Sequence, residues 1–305
     1  MGAIGELHET IHTAHPGASL VRGADMALYT SFRTGGRARL LLEASGREEV
    51  SFALEAARGL GVPYHVIGNG TNLLVSDRGL EALVVRVGER MGGFAQEGNR
   101  FEAGAGMSLA AFAKSTVEAG FSGLEWAAGI PGTVGGALAM NAGAYGGEIA
   151  QVVREAVVIE EGEIRRVAVK PGDMGYRKSA FRAPARVVLR ARFELNGDDG
   201  SAVQRMREYN KARREKQPLQ YPSAGSTFKR PEGHFAGRLI EGAGLKGLRV
   251  GGAEVSELHA GFIINRDGAT SADVYKLIRL VQRRVFEHSG VTLEPEVMLL
   301  GDFDG

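Results

Sequence analysis

The stretch "PSAGSTFKRP", Pro222 to Pro231, sets one hydroxyl, Ser226, behind Ala224 and Gly225 and ahead of two cations, Lys229 and Arg230. A hydroxyl on a small-residue turn beside cations can clamp a phosphate, attack as a nucleophile, deliver a proton, or simply close a loop. Two other short segments carry groups of comparable reactivity. "GYRKSAFR" holds Tyr176 and Arg177, although the pair could equally end a strand. "LEPEVMLLG" holds Glu294 and Glu296, two apart and so on one face of a strand, with Pro295 arguing for an edge. The run "KARREK", Lys211 to Lys216, reads more readily as a solvated helix face than as a site. His8, His12 and His15 share a helix face, but with only Glu6 and Glu9 nearby in a terminal segment they do not make a convincing metal set, and no metal is expected.

Glycine is the second signal. The chain has 45 glycines in 305 residues, about twice the ordinary share of roughly 7 per cent. They cluster between periodic segments, which points to backbone that must approach something closely. "GNGTNLLV", Gly68 to Val75, joins two predicted strands and offers successive backbone N–H groups suited to a pyrophosphate, with an ordinary Asn/Gly turn as the alternative. On the pyrophosphate reading, Gly70→Val is expected to cost ligand affinity before it costs folding. "GIPGTVGGALAMNAGAYGGE", Gly129 to Glu148, favours a flat or phosphorylated ligand. The GxGxxG at Gly242, Gly244 and Gly247 follows a helix and lacks the preceding strand of a dinucleotide fingerprint. Neither a Walker sequence nor a GxSxG elbow occurs, which argues against P-loop phosphoryl transfer and serine hydrolysis.

Lys plus Arg number 37 against 36 Asp plus Glu, so no broad field exists for a nucleic acid or an anionic membrane, and any cationic function is local. With no cysteine there is no disulfide framework and no thiolate site; the cytoplasm fits best. No window approaches the roughly 18 apolar residues of a membrane span.

The elements that must carry these groups follow from periodicity. Residues 38–44, 63–68 and 82–87 read as strands around a helix at 47–61 with Val50, Leu54, Ala57 and Leu60 on one face. A strand at 100–106 precedes a helix capped by Ser108 and closed by Gly120, and alternation over 156–169 and 185–195 predicts a half-buried antiparallel sheet. "NGDDGS", 196–201, is the best boundary signal, followed by a polar helix at 202–216. Beyond it come a helix near 236–244, a strand over 260–268, a helix from Ser271 to His288 with Val274, Ile278, Val281 and Val285 inward, and a last strand before "EPEVMLLG".

Taken together, "TSFRTGGRA", "IGNGTNLLV", "GLEWAAGIPGTVGGALAMNAGAYGGEI", "GYRKSAFR", "KQPLQYPSAGSTFKRP", "HAGFIIN" and "LEPEVMLLG" resemble, in order, the UDP-N-acetylenolpyruvoylglucosamine reductase (MurB) family, over most of the chain from Thr30 to Gly301. The resemblance implies an α+β chain: a two-part FAD-binding domain of the vanillyl-alcohol-oxidase (PCMH) type over 1–200, with subdomains at about 20–86 and 87–200, and a C-terminal α/β substrate-binding domain over 201–305. The short link after "GYRKSAFR" is similar to the family's second type, which lacks an inserted loop. Leu258 departs from a usual lysine, and Arg230 stands where many members carry asparagine.

The same resemblance implies noncovalent FAD, held by Ile67, Gly68, Asn69, Gly70, Thr71, Asn72 and Leu73 and bordered by Gly129, Thr133, Gly135, Gly136, Asn141, Gly143 and Gly146. NADPH is the implied hydride donor, and the enolpyruvyl group of UDP-N-acetylglucosamine enolpyruvate is the implied acceptor. Arg177 and Glu296 would stabilise the charge formed on hydride transfer, and Ser226 would protonate the resulting enolate. Tyr145, Tyr176, Lys216, Lys229 and Arg230 would bind substrate or nicotinamide nucleotide. A noncatalytic binding module for UDP-sugars or anionic glycans, and an FAD oxidase on the same fold, are the alternatives. No nucleic acid or membrane partner is implied.

Overall fold

The structure, a computed structural model, describes residues 2–183 and 186–303. Chain contacts form two compact units interleaved along the sequence. The first takes the chain up to Arg22, then Leu40–Asn69 and Ala82–Ala212; the second takes Gly23–Arg39, Gly70–Glu81 and the chain from Arg213 onward.

In the first unit the helix Arg47–Gly59 turns Val50, Ala53, Leu54 and Ala57 into the core, at the spacing that a 3.6-residue period demands. Leu60 caps that helix and is only partly buried. Strand Tyr64–Ile67 pairs parallel with Leu80–Arg86, from Tyr64 opposite Leu83 to Ile67 opposite Arg86. It is the edge of a four-stranded sheet ordered Ser19–Asp25, Arg37–Glu43, Leu80–Arg86, Tyr64–Ile67. The first of these strands has no counterpart in the sequence-based expectation, and neither has the N-terminal helix Ala3–Ala14, which buries Leu7 and Ile11. On that helix His8 stacks on His12 and meets Glu9, while His15 meets the edge of Phe52. Among the described residues no group of three or more His, Cys, Asp or Glu side chains could hold a metal ion.

The expected half-buried sheet is five-stranded and antiparallel, ordered Glu163–Ala168, Val153–Glu160, Arg186–Glu194, Arg100–Gly104, Phe94–Glu97. One face buries Phe101, Ala156, Val158, Ala191 and Phe193; cross-strand ion pairs such as Arg190–Glu102 and Arg166–Glu155 stand outside this core. Helix Leu109–Glu118 starts where the sequence predicts, with Ser108 Oγ accepting from Ala111 N at 3.4 Å, and it inserts Phe112 against Phe193 at 4.8 Å between ring centroids. Each such buried ring contributes about 1.5–3 kcal/mol. Helix Val134–Met140 lies against Arg186–Glu194, which fixes the glycine-rich segment to this sheet.

The second unit is built on helix Ser271–Ser289. Thr270 caps it in a reciprocal pair with Asp273, and the Asp77 carboxylate accepts from Ser271 N and Ala272 N, an acidic group placed at the positive end of the helix dipole. Val274, Ile278, Val281 and Val285 are buried as expected. They pack on a three-stranded antiparallel sheet ordered Arg249–Val250, Ala253–Val255, Ile263–Asn265. The last strand is displaced from its expected position: it is Met298–Leu300, inside "EPEVMLLG", and it pairs parallel with Leu73–Val75. The apolar "LLV" after the Gly68–Asn72 loop is therefore itself a strand. Among the described residues no helix is long and apolar enough to cross a membrane.

Candidate functional site

In the second unit, four extended segments lie side by side. Thr227 is the joint between them. Its N–H donates to Gly261 O at 2.8 Å, its buried Oγ1 accepts from Ile263 N at 3.0 Å, and its carbonyl accepts from Glu296 N at 2.8 Å. Phe228 bridges Pro295, and Lys229 N donates to Glu294 O at 2.8 Å, so 226–229 and 294–297 run as a short antiparallel ladder. On the far side, Asn72 Nδ2 donates to Glu296 O at 3.1 Å, and Asn72 O accepts from Met298 N at 2.9 Å. Ser226 is thus held one residue from the position opposite Glu296. Thr227 and Phe228 are buried beside it, while Ser226 itself is exposed. The main chains of the segments carrying Ser226 and Glu296 therefore run side by side, and Thr227, which sequence reasoning passed over, is the residue that stands opposite Glu296.

The cations near Ser226 are less simply disposed. Lys229 forms an ion pair with Glu294, and the Arg230 guanidinium lies 3.9 Å from the centre of the Phe235 ring. Lys216 ends the helix Ala202–Lys216 and is exposed.

Of the remaining candidate residues, Gly70, Thr71 and Leu73 belong to the second unit and the others to the first. Thr133 caps helix Val134–Met140 by accepting from Gly136 N at 3.2 Å. A β-carbon on Gly68 would stand 2.4 Å from Thr133 Oγ1, so the segments at Ile67–Asn69 and Thr133–Gly136 abut. Asn69 accepts from Arg86, which is paired with Glu43 at 2.9 Å. Gly135 N donates to Ala105 O, and a β-carbon there would stand 3.0 Å from Ala105 Cβ. Gly136 and Gly146 are exposed, with at most one neighbour near the position of a side chain. Gly129 is partly buried just after the short helix Glu125–Ala127.

Asn141, Tyr145 and Arg177 all have positive φ, at 42°, 53° and 54°. Non-glycine residues in this region cost about 1–3 kcal/mol each and persist where their surroundings hold them. Asn141 is fully buried: Nδ2 donates to Glu148 and to Gly175 O, and Oδ1 accepts from Ala150 N. Its contribution is to shape the loop. Tyr145 is half-exposed and stacks on Tyr209 of the polar helix, with centroids 4.6 Å apart and planes 10° from parallel. That helix is tied down by Arg205, which pairs with buried Glu125 at 2.6 Å and with Asp199 at 3.0 Å; these carboxylates hold the guanidinium pKa well above its usual value. Arg177 donates to Gly143 O at 3.3 Å and lies 5.0 Å from the Tyr176 ring centre.

Gly70 has φ +62°, and a β-carbon on it would stand 2.0 Å from Tyr29 O. The clash is with this chain's own backbone, so Gly70→Val is expected to cost folding first, by about 3 kcal/mol or more. Melting of flavin-free wild type and variant measures this; equal midpoints would rule it out. Gly147 likewise is required by Trp126, whose ring would lie 2.1 Å from an added β-carbon.

A flavin dinucleotide needs backbone donors and room beside a diphosphate. The abutting Ile67–Asn69 and Thr133–Gly136 segments, with small side chains and exposed Gly136, offer the room, while the Gly135 and Gly136 N–H groups are already given to Ala105 O and Thr133 Oγ1.

Residues 38–168 match the FAD binding domain family, and residues 217–300 match the C-terminal domain of UDP-N-acetylenolpyruvoylglucosamine reductase. The chain is 46% identical over 279 residues to the UDP-N-acetylenolpyruvoylglucosamine reductase of Clostridium botulinum (strain Hall), covering 91% of each chain. It is 44% identical over 299 residues to that of Caldicellulosiruptor bescii, covering 96% of this chain and 95% of the other. The crystal structure of UDP-N-acetylenolpyruvylglucosamine reductase (MurB) from Thermus caldophilus superposes with a TM-score of 0.79 at 37% identity, covering 93% of this chain and 99% of that one. With its FAD-binding domain, reductase C-terminal domain and near-full-length relatives, the chain belongs to the UDP-N-acetylenolpyruvoylglucosamine reductase family.

Proposed function

We propose that this chain reduces the enolpyruvyl double bond of UDP-N-acetylglucosamine enolpyruvate to give UDP-N-acetylmuramate, in the cytoplasm, with noncovalent FAD and NADPH. The observation that carries the reading is the ladder that registers Ser226 beside Glu296. When bound, FAD would supply the hydride, drawn from NADPH, that the methylene carbon of the substrate takes up. Negative charge then grows on the adjacent carbon and its carboxylate. Arg177 supplies a fixed cation and Glu296 a hydrogen-bonding acid for that charge. Ser226 Oγ–H gives its proton to the carbon, the new C–H bond forms, and the hydroxyl recovers a proton from water. Residues 1–200 serve the cofactor and 201–305 the substrate. Ile67, Gly68, Asn69, Thr71, Gly135 and Gly136 would face the dinucleotide with backbone, while Asn72, Leu73 and Asn141 hold the surrounding loops. Tyr145, Tyr176, Lys216, Lys229 and Arg230 would grip the nucleotide diphosphates, for which local cations suffice in a chain of formal net charge +1.

The experiment is optical. The purified protein is expected to show flavin absorption near roughly 450 nm that bleaches on adding NADPH, with the flavin released on denaturation. A colourless protein that also fails to take up FAD would remove the enzyme reading in favour of a binding module, and a flavin that stays attached after denaturation would remove the noncovalent one.

A further inference from the structure

The segment carrying Ser226 pairs with a turn that holds one imidazole. His259 Nδ1 accepts from Gly261 N at 3.1 Å, so its proton is on Nε2 in the neutral ring. The ring is wedged between two glycines: an added β-carbon on Gly261 would stand 2.9 Å from His259 Cε1, and one on Gly237 would stand 3.5 Å from it. It also meets the Phe262 ring edge-on at 4.9 Å. The main chain is tied around it, with His259 N donating to Ser256 Oγ, Phe262 N to His259 O, and Ser256 N to Phe262 O. This same turn receives the serine strand, since Gly261 O accepts from Thr227 N and Phe262 bridges Ser226.

We propose that His259 is a positioning residue for the reaction: its neutral Nδ1 fixes the 259–262 turn, and through that turn the place of Ser226. The inference rests on Ser226 acting as the proton donor. Protonating the ring turns Nδ1 from acceptor into donor and sets it against the Gly261 N–H. Burial holds the imidazole pKa below its ordinary 6.5, which keeps the ring neutral at working pH. Glu241 and Lys246, the charges bearing on it, are themselves paired at 3.0 Å and act in opposite directions; Glu257 flanks the turn.

The test compares holoenzyme variants by single-turnover kinetics, following flavin reduction by NADPH and product formation separately. His259→Phe, which fills the slot without an acceptor, is expected to slow product formation about tenfold to a hundredfold, the effect of a small misplacement. Flavin reduction should stay within about twofold. Amide exchange at Gly261 should quicken, a readout independent of turnover. Added to Ser226→Ala, the same change should slow product formation no further. Equal slowing on both backgrounds, or none in either, overturns the proposal. Ser226→Ala alone judges the serine's role, so the two failures are separable. His259→Asn places a non-titrating acceptor near Nδ1 and should keep the neutral-pH rate while losing the acid decline expected of wild type as the His259 ring protonates. If His259→Phe does not fold, that profile decides, and an unchanged acid decline in His259→Asn counts against the proposal.

Discussion

Ser226→Ala is expected to leave flavin reduction by NADPH nearly intact and to cut product formation by about two to four decades, the range for losing a positioned general acid. The substitution removes one exposed hydroxyl and spares the main-chain bonds of Thr227 that hold the strand. The fold should therefore be unaffected and the loss confined to one step. Ser226→Cys keeps a transferable proton at nearly the same reach and should recover part of the rate. The competing role is a phosphate clamp, suggested by Lys229 and Arg230 three and four residues on. Lys229 pairs with Glu294 and Arg230 stacks on Phe235, and either cation could bind a diphosphate without the Ser226 hydroxyl, so their presence does not by itself make the serine part of a clamp. A clamp predicts a raised substrate dissociation constant with saturated turnover little changed, and that result would falsify the proton-donor role.

For Glu296→Gln and Arg177→Ala the expected result is a fall of about two to three decades in product formation, with flavin reduction much less affected. The reason is timing: in the roles proposed for them, the charge they would stabilise exists only after hydride has reached the substrate, so their interactions would belong to one transition state. Glu296→Gln is the cleaner change, because the bonds from Glu296 N to Thr227 and from Asn72 to Glu296 O are made by the main chain of residue 296 and survive. Arg177 sits at φ +54°, and an alanine inherits that strain. Its melting midpoint should be measured beside the rates. Stopped-flow traces resolve the two half-reactions, and equal losses in both would reassign these residues to a structural or general binding role.

The family, the α+β class and the pair of chemistries were legible in the sequence because they rest on local signals. Periodicity placed the helices at 47–59 and 271–289 to within a few residues, and Ser108 announced its helix through its own cap. The reactive residue types stood in short runs whose composition was unusual, and several such runs in one order are specific. The N-terminal helix showed only in the spacing of its histidines, and the strand Ser19–Asp25, with Arg22 and Gly23 inside it, carries no strong alternation.

What only the tertiary structure decided is why particular residues are needed. Gly70 and Gly147 looked like surfaces for a ligand, yet the first is required by Tyr29 O and the second by the Trp126 ring, contacts made by residues some forty and twenty positions away. Asn141 and Asn72 looked like cofactor contacts, and both have side chains committed to holding neighbouring backbone. Thr227 and His259 stand inside quoted runs but drew no role there, and their contacts show only once 226–229 lies between 259–263 and 294–298. Sequence fixes which groups are available and which local conformations they prefer. Hydrogen bonds across long separations along the chain decide which of them face the chemistry, since pairing of that kind leaves no trace in the residues between.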